Sequence, residues 1–308
     1  MNIVLAKSLY HFLCTFIQTT RLQPYIYFTT NDYREMNTKI LLCIHKPGPF
    51  LQHDMFLPIH VGKALSSQQL NIQGDDTGDN ISHKNREFCE LTAHYWAWKN
   101  LQTADYIGLF HYRRYLDLDH HSLRQKNTIS AGQLTTPRQS IEKALQDCDI
   151  LLSNPYYYSV SNKIAYCYAH IREDYHILEN VIHDLYPEYL SAFQKIMLKR
   201  NWMSVGNLLI TKREIFNAYS AWLFDILFEV EKRIKISPYP YQQRVFGFMS
   251  ERLLDVYCYH HRLKTKRYPV LFINDSEEQP RNKTLLAFQF KRFLKTLRFR
   301  CSSKHNPI

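Results

Sequence analysis

The tetrad His111-Tyr112-Arg113-Arg114 follows directly on the apolar run Asp105-Tyr-Ile-Gly-Leu-Phe110. Two adjacent guanidinium groups at a strand end are costly to bury unless an anion meets them. Phosphate oxygens fit that need, because the planar fork of an arginine can hold two at once; a surface cluster of ion pairs is the competing reading. His45 and Lys46 close an earlier apolar run and add two more groups able to meet an anion. Fixed cations of this kind can stabilise a departing diphosphate, work that a divalent ion does in other sites.

Carboxylates form a second set. Asp75, Asp76 and Asp79 stand with Asn80 and Lys84 in a loop that also holds Gly74 and Gly78. Three uses are open: Asp75 and Asp76 could hold a divalent Mg or Mn ion, the loop could hydrogen-bond ribose or sugar hydroxyls, or it could cap the helix that follows. Glu251 is the first candidate for a general base and Asp174 the reserve, with a helical ion pair to Arg252 or Arg244 as the plainer reading of Glu251. His170, Asn207 and Arg244 are further groups able to hydrogen-bond a polyol.

These side chains need a scaffold. The apolar runs Lys39-Ile-Leu-Leu-Cys-Ile-His45, Asp105–Phe110, Cys148–Ser153 and Gly206–Ile210 predict buried strands. Ser82 is expected to cap a helix carrying Phe88, Leu91, Tyr95 and Trp98. Residues 117–139 read as a surface loop and Tyr156–Asn201 as mostly helical. Thr211-x-x-Glu214 reads as a capping box for a long helix whose stripe is Ile215, Tyr219, Trp222, Leu223, Ile226, Val230 and Ile234. Pro238 and Pro240 end it, another helix begins near Gln242, and Pro269–Ile273 reads as a last strand. The alternation predicts an α/β fold, a mixed or mainly parallel sheet with helices on both faces, whose ligands sit at the carboxyl ends of the strands.

Of the formal net charge of +11, eight units come from Lys and Arg between Arg281 and Lys304, a stretch without acids, so residues 1–280 hold the remaining +3. A nearly neutral body argues against a nucleic-acid partner. In the tail, Leu286, Phe290, Phe293, Leu294 and Leu297 share one helical face, with Lys291, Arg292, Lys295 and Arg298 mostly opposite. That pattern suits an anionic membrane surface or a helix docked on its own domain. Seven cysteines without a C-x-x-C pair point to reduced thiols and a cytoplasmic setting. The apolar stretch in the first 20 residues, broken by Lys7 and His11, is too short for a membrane span. The expected organisation is an extension over 1–35, an α/β domain over 36–275 and a basic amphipathic tail over 276–308.

The motifs, in their order, resemble a bacterial family of capsular, exopolysaccharide and lipopolysaccharide biosynthesis proteins, long grouped as a domain of unknown function and placed among GT-A-like glycosyltransferases. The resemblance rests on Ile44-His-Lys-Pro47, Leu57-Pro-Ile-His-Val-Gly62, Asp75-Asp-Thr-Gly-Asp-Asn-Ile-Ser82 with Lys84-Asn85, Cys89-Glu-Leu-Thr92, Tyr95-Trp-Ala-Trp-Lys-Asn100 and Tyr106-Ile-Gly108 through His111–Tyr115. It continues in Gly206-Asn207, Trp222-Leu-Phe-Asp-Ile-Leu227, Gln243-Arg244 and Glu251-Arg-Leu253, and covers Lys39 to about Ile273.

It implies a GT-A-like (Rossmann-like) sheet with a helical C-terminal portion. It also implies hexosyl transfer from a nucleotide-sugar donor, UDP-linked and with UDP-galactofuranose among the candidates, to a lipid-linked or oligosaccharide acceptor. On that reading His45, Lys46, Asp75, Asp76, Asp79, Asn80, Lys84 and His111–Arg114 hold the donor, His170, Asn207 and Arg244 hold the acceptor, and Glu251 or Asp174 takes the acceptor proton. GT-A enzymes often place a metal-binding D-x-D where this sequence reads His-Tyr-Arg-Arg, so fixed cations are expected to replace or supplement Mg or Mn. The tail, outside the resemblance, would hold the protein on the inner face of the cytoplasmic membrane. Two other classes compete: a non-catalytic glycan-binding or assembly module, and a basic nucleic-acid-binding protein, which would interleave cations with stacking aromatics across its body.

Overall fold

Thr38–Ile44 forms β1, and its alternate side chains feed two different cores. Leu41 and Cys43 join one hydrophobic cluster, while Ile40, Leu42 and Ile44 join another on the opposite face. A run buried on both faces explains why this strand reads as unbroken apolar sequence. The chain is a computed structural model that describes residues 36–118, 124–126, 128–129, 138–273 and 282–305. The extension read over 1–35 lies outside the described residues.

On one side of β1 lie β2 (Phe56–His60) and then β3 (Gln73–Gly74); on the other lies β4 (Tyr106–His111), and all three pairings are parallel. After β4 the chain turns back into β5 (Arg114–Leu116) through the pair His111↔Arg114. Two short strands, β6 (Arg124–Lys126) and β7 (Thr128–Ile129), occupy part of the stretch read as a loop; its other residues up to 137 beyond Leu118 lie outside the description. Farther along come β8 (Ile150–Ser153), β9 (Tyr156–Tyr157), β10 (Trp202–Met203), β11 (Leu209–Lys212), β12 (Thr265–Tyr268), β13 (Val270–Ile273) and β14 (Asn282–Thr284). The main path of the ten-stranded sheet runs β12-β8-β11-β4-β1-β2-β3, with β5, β13 and β7 branching from it. β11 is antiparallel to both β4 and β8, so the sheet is mixed. The expected α/β architecture is present. β2 escaped sequence reading because Pro58 argues against a strand; β3 pairs only with Ile59 and His60, which leaves Pro58 on an edge.

Helices cover both faces. α1 (Asn85–Phe88), α2 (Leu91–Asn100), α3 (Arg138–Gln146), α4 (Asn162–Ala169), α5 (Arg172–Leu185), α6 (Leu190–Lys199), α7 (Arg213–Arg233), α8 (Pro240–Gln243), α9 (Val245–His260) and α10 (Leu285–His305) follow in order. Side chains of α2, α5, α6, α7 and α9 build the larger core, and Ile141, Ala144 and Leu145 of α3 join the other.

Two expected caps are absent and one expected helix is split. Ser82 opens a 3-10 turn, and its hydroxyl donates to Asp75 instead. Cys89, at φ 52°, splits the expected helix into α1 and α2. Thr211 belongs to β11, where its hydroxyl donates to the Asp149 carbonyl at 2.7 Å, and α7 starts without a side-chain cap. For Ser82 and Thr211 tertiary partners outcompete the local ones. Gly206 and Asn207, read as the start of a strand, instead form a left-handed turn before β11.

α10 meets the body by an unexpected face. Lys295 Nζ donates to the Tyr157 carbonyl at 2.7 Å, and Arg292 and Lys295 lie over the rings of Tyr157 and Tyr156 at 4.8 and 4.2 Å. Phe290, Phe293, Leu294 and Leu297 remain exposed.

Gly108 sits where the central strands β1, β4 and β11 pack closely. A Cβ there would stand 3.0 Å from both Ile210 Cγ1 and Ile40 Cγ1, on the neighbouring strands. Gly108→Ala is expected to overpack this site and destabilise the protein by about 1–3 kcal/mol, measured as a lower urea midpoint with an unchanged slope.

Candidate functional site

From β1 the chain winds outward to β2 and β3, then returns to place β4 on the other side of β1. Such a reversal opens a crevice beyond the carboxyl ends of the two central strands. His45 follows the last residue of β1, and His111 ends β4. A cleft of about 760 Å3 lies here, lined by Arg86, Arg113, Arg114 and Arg244 together with His45 and His111. Arg86 comes from α1, Arg114 begins β5, and Arg244 lies between α8 and α9. Cations dominate the field: His45 has a pKa below the usual histidine range, first through burial and then through Lys46, His111, Arg113 and Arg244. Its imidazole is therefore neutral near pH 7 and can both donate and accept.

The wall behind the cations is a hydrogen-bonded junction. Gly206 and Asn207 both have positive φ, 74° and 52°, a conformation natural for glycine and tolerated by asparagine. The Gly206 carbonyl lies 2.7 Å from His111 Nε2, so that nitrogen carries the proton and donates. The Gly206 N–H donates to Glu251 Oε1 at 2.7 Å, and Asn207 Nδ2 donates to Glu90 Oε1 at 2.7 Å. Arg114 approaches the same turn, with Nη1 3.7 Å from where a Gly206 Cβ would stand. Glu251 Oε2 pairs with Arg252 Nη1 at 3.2 Å. Burial raises the Glu251 pKa and the nearby Glu90 charge adds to it, while Arg252, the Gly206 N–H and Arg114 oppose them. The result is a carboxylate with strengthened basicity, which does not itself line the cleft and joins it through the Gly206 turn and His111.

Several sequence candidates stand elsewhere. Asp75 is fully buried and accepts from Gly62 N at 2.8 Å, Lys63 N at 3.0 Å, Ser82 Oγ at 2.5 Å and Thr92 Oγ1 at 2.5 Å. Those donors take up its lone pairs, so Asp75 clasps the chain after β2 to α2 and does not suit a metal or a donor sugar. Asp76 is exposed, and Asp79 accepts from the Tyr95 hydroxyl at 3.1 Å. Asn80 accepts from Ser82 N at 3.2 Å, and Lys84 is held by Glu231 at 2.6 Å. None of these residues, nor Lys46, lines the cleft. Tyr112 does, as a buried ring edge-on to His45 at 5.4 Å. Arg86 and Glu90 were missed by sequence reading. Only the motif Cys89-Glu-Leu-Thr92 hinted at Glu90, and Arg86 gave no periodic signal.

A second polar group adjoins Arg252. His170 stacks on Phe248 with centroids 4.0 Å apart and has a pKa pushed down to about 4, mainly by burial and then by Arg252. Its Nδ1, Tyr166 Oη and Arg252 Nε are buried without a hydrogen-bond partner, while Arg252 Cζ lies 5.2 Å from the Tyr166 ring. Unsatisfied groups of this kind are rare in native interiors and are suited to water or ligand hydroxyls. Asp174 is buried at the first turn of α5, and burial, with the Glu173 charge added, lifts its pKa to about 6.

Residues 39–262 match the family described as domain of unknown function DUF4422. The chain is also similar to WbbM, a bifunctional glycosyltransferase solved in its apo form: the two are 33% identical with a TM-score of 0.69, over 78% of this chain and 46% of that one. The chain thus spans about half the length of that protein. No curated protein matches it.

Because the Asp174 carboxyl titrates near 6 folded against 3.8 in its ordinary state, its neutral form favours the fold. That contribution is full below pH 4 and fades as pH rises to 6. Asp174→Asn is expected to flatten the fall in melting temperature across this window, while an unchanged profile would assign the titration to another group.

Proposed function

We propose, from the premise that this chain belongs to the DUF4422 family, that it is a GT-A-like glycosyltransferase acting on a nucleotide-sugar donor. The observation that carries the reading is the convergence of Arg86, Arg113, Arg114 and Arg244 on one cleft at the sheet's switch point. An anion with several oxygens can engage several guanidinium groups at once, and a nucleoside diphosphate is such an anion. The likeness to a bifunctional glycosyltransferase supports the same assignment.

On this reading the acceptor hydroxyl attacks the anomeric carbon while the bond from that carbon to the diphosphate oxygen breaks. The bonding pair leaves with the nucleoside diphosphate, whose growing charge the arginines neutralise. The hydroxyl proton passes to Glu251, which the Gly206 N–H and Arg252 hold in place. A divalent ion does not fit the residues first considered for it, since Asp75 spends its oxygens on four donors and Asp76 stands exposed beside it. The arginines and His111 take over its electrostatic work. UDP-sugars, UDP-galactofuranose among them, are the first donors to screen. The acceptor is a lipid-linked or oligosaccharide glycan of capsule, exopolysaccharide or lipopolysaccharide synthesis. The exposed apolar side chains on α10 suit work at the cytoplasmic membrane surface; no helix among the described residues is long and apolar enough to cross a membrane.

Two variants divide the roles. Arg113→Ala and Arg114→Ala each remove charge-assisted hydrogen bonds of about 1.5–3 kcal/mol, so UDP affinity by calorimetry is expected to fall by roughly tenfold to a hundredfold. Glu251→Gln keeps an acceptor for the Gly206 N–H, so donor affinity should persist while turnover falls by about 10²–10⁴. Full turnover in Glu251→Gln would strip it of the role of base, and full UDP affinity in both arginine variants would move the donor elsewhere. Turnover that survives chelation is expected as well, measured by release of nucleoside diphosphate with and without EDTA.

A further inference from the structure

A second cleft, of about 770 Å3, lies between α6 and α10. Lys195, Lys199, Arg200, Arg292 and Arg300 line it, and no carboxylate does. Aromatic rings preset two of the guanidinium groups: Arg200 Cζ lies 4.0 Å from the Trp202 ring and Arg292 Cζ lies 4.8 Å from the Tyr157 ring. Lys195, Lys199 and Arg292 bring like charges together along this one cleft, and an anion bound among them relieves their repulsion.

The cleft opens onto an apolar edge. Phe293 and Leu297 belong to its lining and are 60% and 45% exposed, and Phe290 and Leu294 continue the strip along α10. Cations beside an uncovered hydrocarbon strip match a ligand that has a phosphate at one end and a long apolar chain at the other. A path of rings leads from here toward the proposed base. Lys295 Nζ stands 4.2 Å from the Tyr156 ring, Tyr156 packs edge-on to Tyr158 at 5.0 Å, and Tyr158 feels the charges of Arg252 and Glu251.

We propose that this cleft is a subsite for the acceptor lipid, holding the phosphate or diphosphate ester of a long hydrocarbon chain whose tail lies along Phe290, Phe293, Leu294 and Leu297. The sugar on that phosphate then extends over Tyr156 and Tyr158 toward Glu251. Only the sugar's destination rests on the transferase reading; capture of the lipid phosphate does not.

The test is binding of the full chain to neutral phosphatidylcholine vesicles doped either with a polyprenyl phosphate or with phosphatidylglycerol at matched surface charge. The wild type is expected to prefer the polyprenyl phosphate. Lys195→Ala combined with Lys199→Ala, two exposed positions on α6, should erase that preference and weaken polyprenyl phosphate binding about tenfold. Lys291→Ala with Arg298→Ala removes the same charge outside the cleft, so it should weaken both bindings alike and keep the preference. Equal binding of the two vesicle types by the wild type, or an unchanged preference in the Lys195 and Lys199 double variant, overturns the subsite. Because the readout is membrane binding, a protein that keeps this preference yet releases no nucleoside diphosphate from any donor fails as a transferase and not as a lipid-phosphate binder.

Discussion

The left-handed turn at Gly206-Asn207 holds the site together. Its two residues offer a carbonyl, an N–H and a side-chain amide in three directions, and these engage His111, Glu251 and Glu90 at 2.7 Å each. The partners come from the end of β4, from α9 and from the junction of α1 with α2, elements distant in sequence. A right-handed backbone at this point would turn those groups elsewhere, and the row of arginines would lose the wall behind it. The strain of a positive φ at Asn207 is offset by the buried bond that its amide makes with Glu90.

Charge accounts for the next level. Four arginines face one cleft whose single lining carboxylate, Glu90, is already engaged by Asn207. The cleft lining therefore carries a net positive charge where strands end. A field fixed in a rigid sheet needs little reorganisation when an anion forms or departs. Burial first, and then the same field, lowers the pKa of His45, while the burial and the nearby Glu90 charge that raise the Glu251 pKa act on the other side of the Gly206 turn. Cations that receive a leaving group and a carboxylate that receives a proton are thus kept apart in function by environment.

The second cationic cleft shows a different solution. There α10 lays Arg292 and Lys295 on tyrosines and leaves Phe290, Phe293, Leu294 and Leu297 exposed. An amphipathic helix serving only its own domain would bury those apolar side chains. The inverted docking makes sense if the apolar side is reserved for hydrocarbon that the protein does not itself provide.

Fold class was legible in the sequence because strands buried on both faces must be apolar throughout, as Ile40–Ile44 is, and because long helices such as α7 carry their stripe at three- and four-residue spacing. The arginine pair after β4 was legible for a related reason: adjacent guanidinium groups at a strand end are too costly to place without a purpose. The Asp75 loop shows the limit of such reading. Its composition suits a metal, a sugar or a cap, and only the tertiary structure reveals that Gly62, Lys63, Ser82 and Thr92 consume its oxygens. Arg86 and Arg244 could not be assigned to the Arg113 cleft beforehand, since nothing local to either residue states which distant strand end it will face. Sequence fixes what a side chain can do; which partners it meets depends on contacts between segments a hundred residues apart, and those exist only once the sheet has closed around β1.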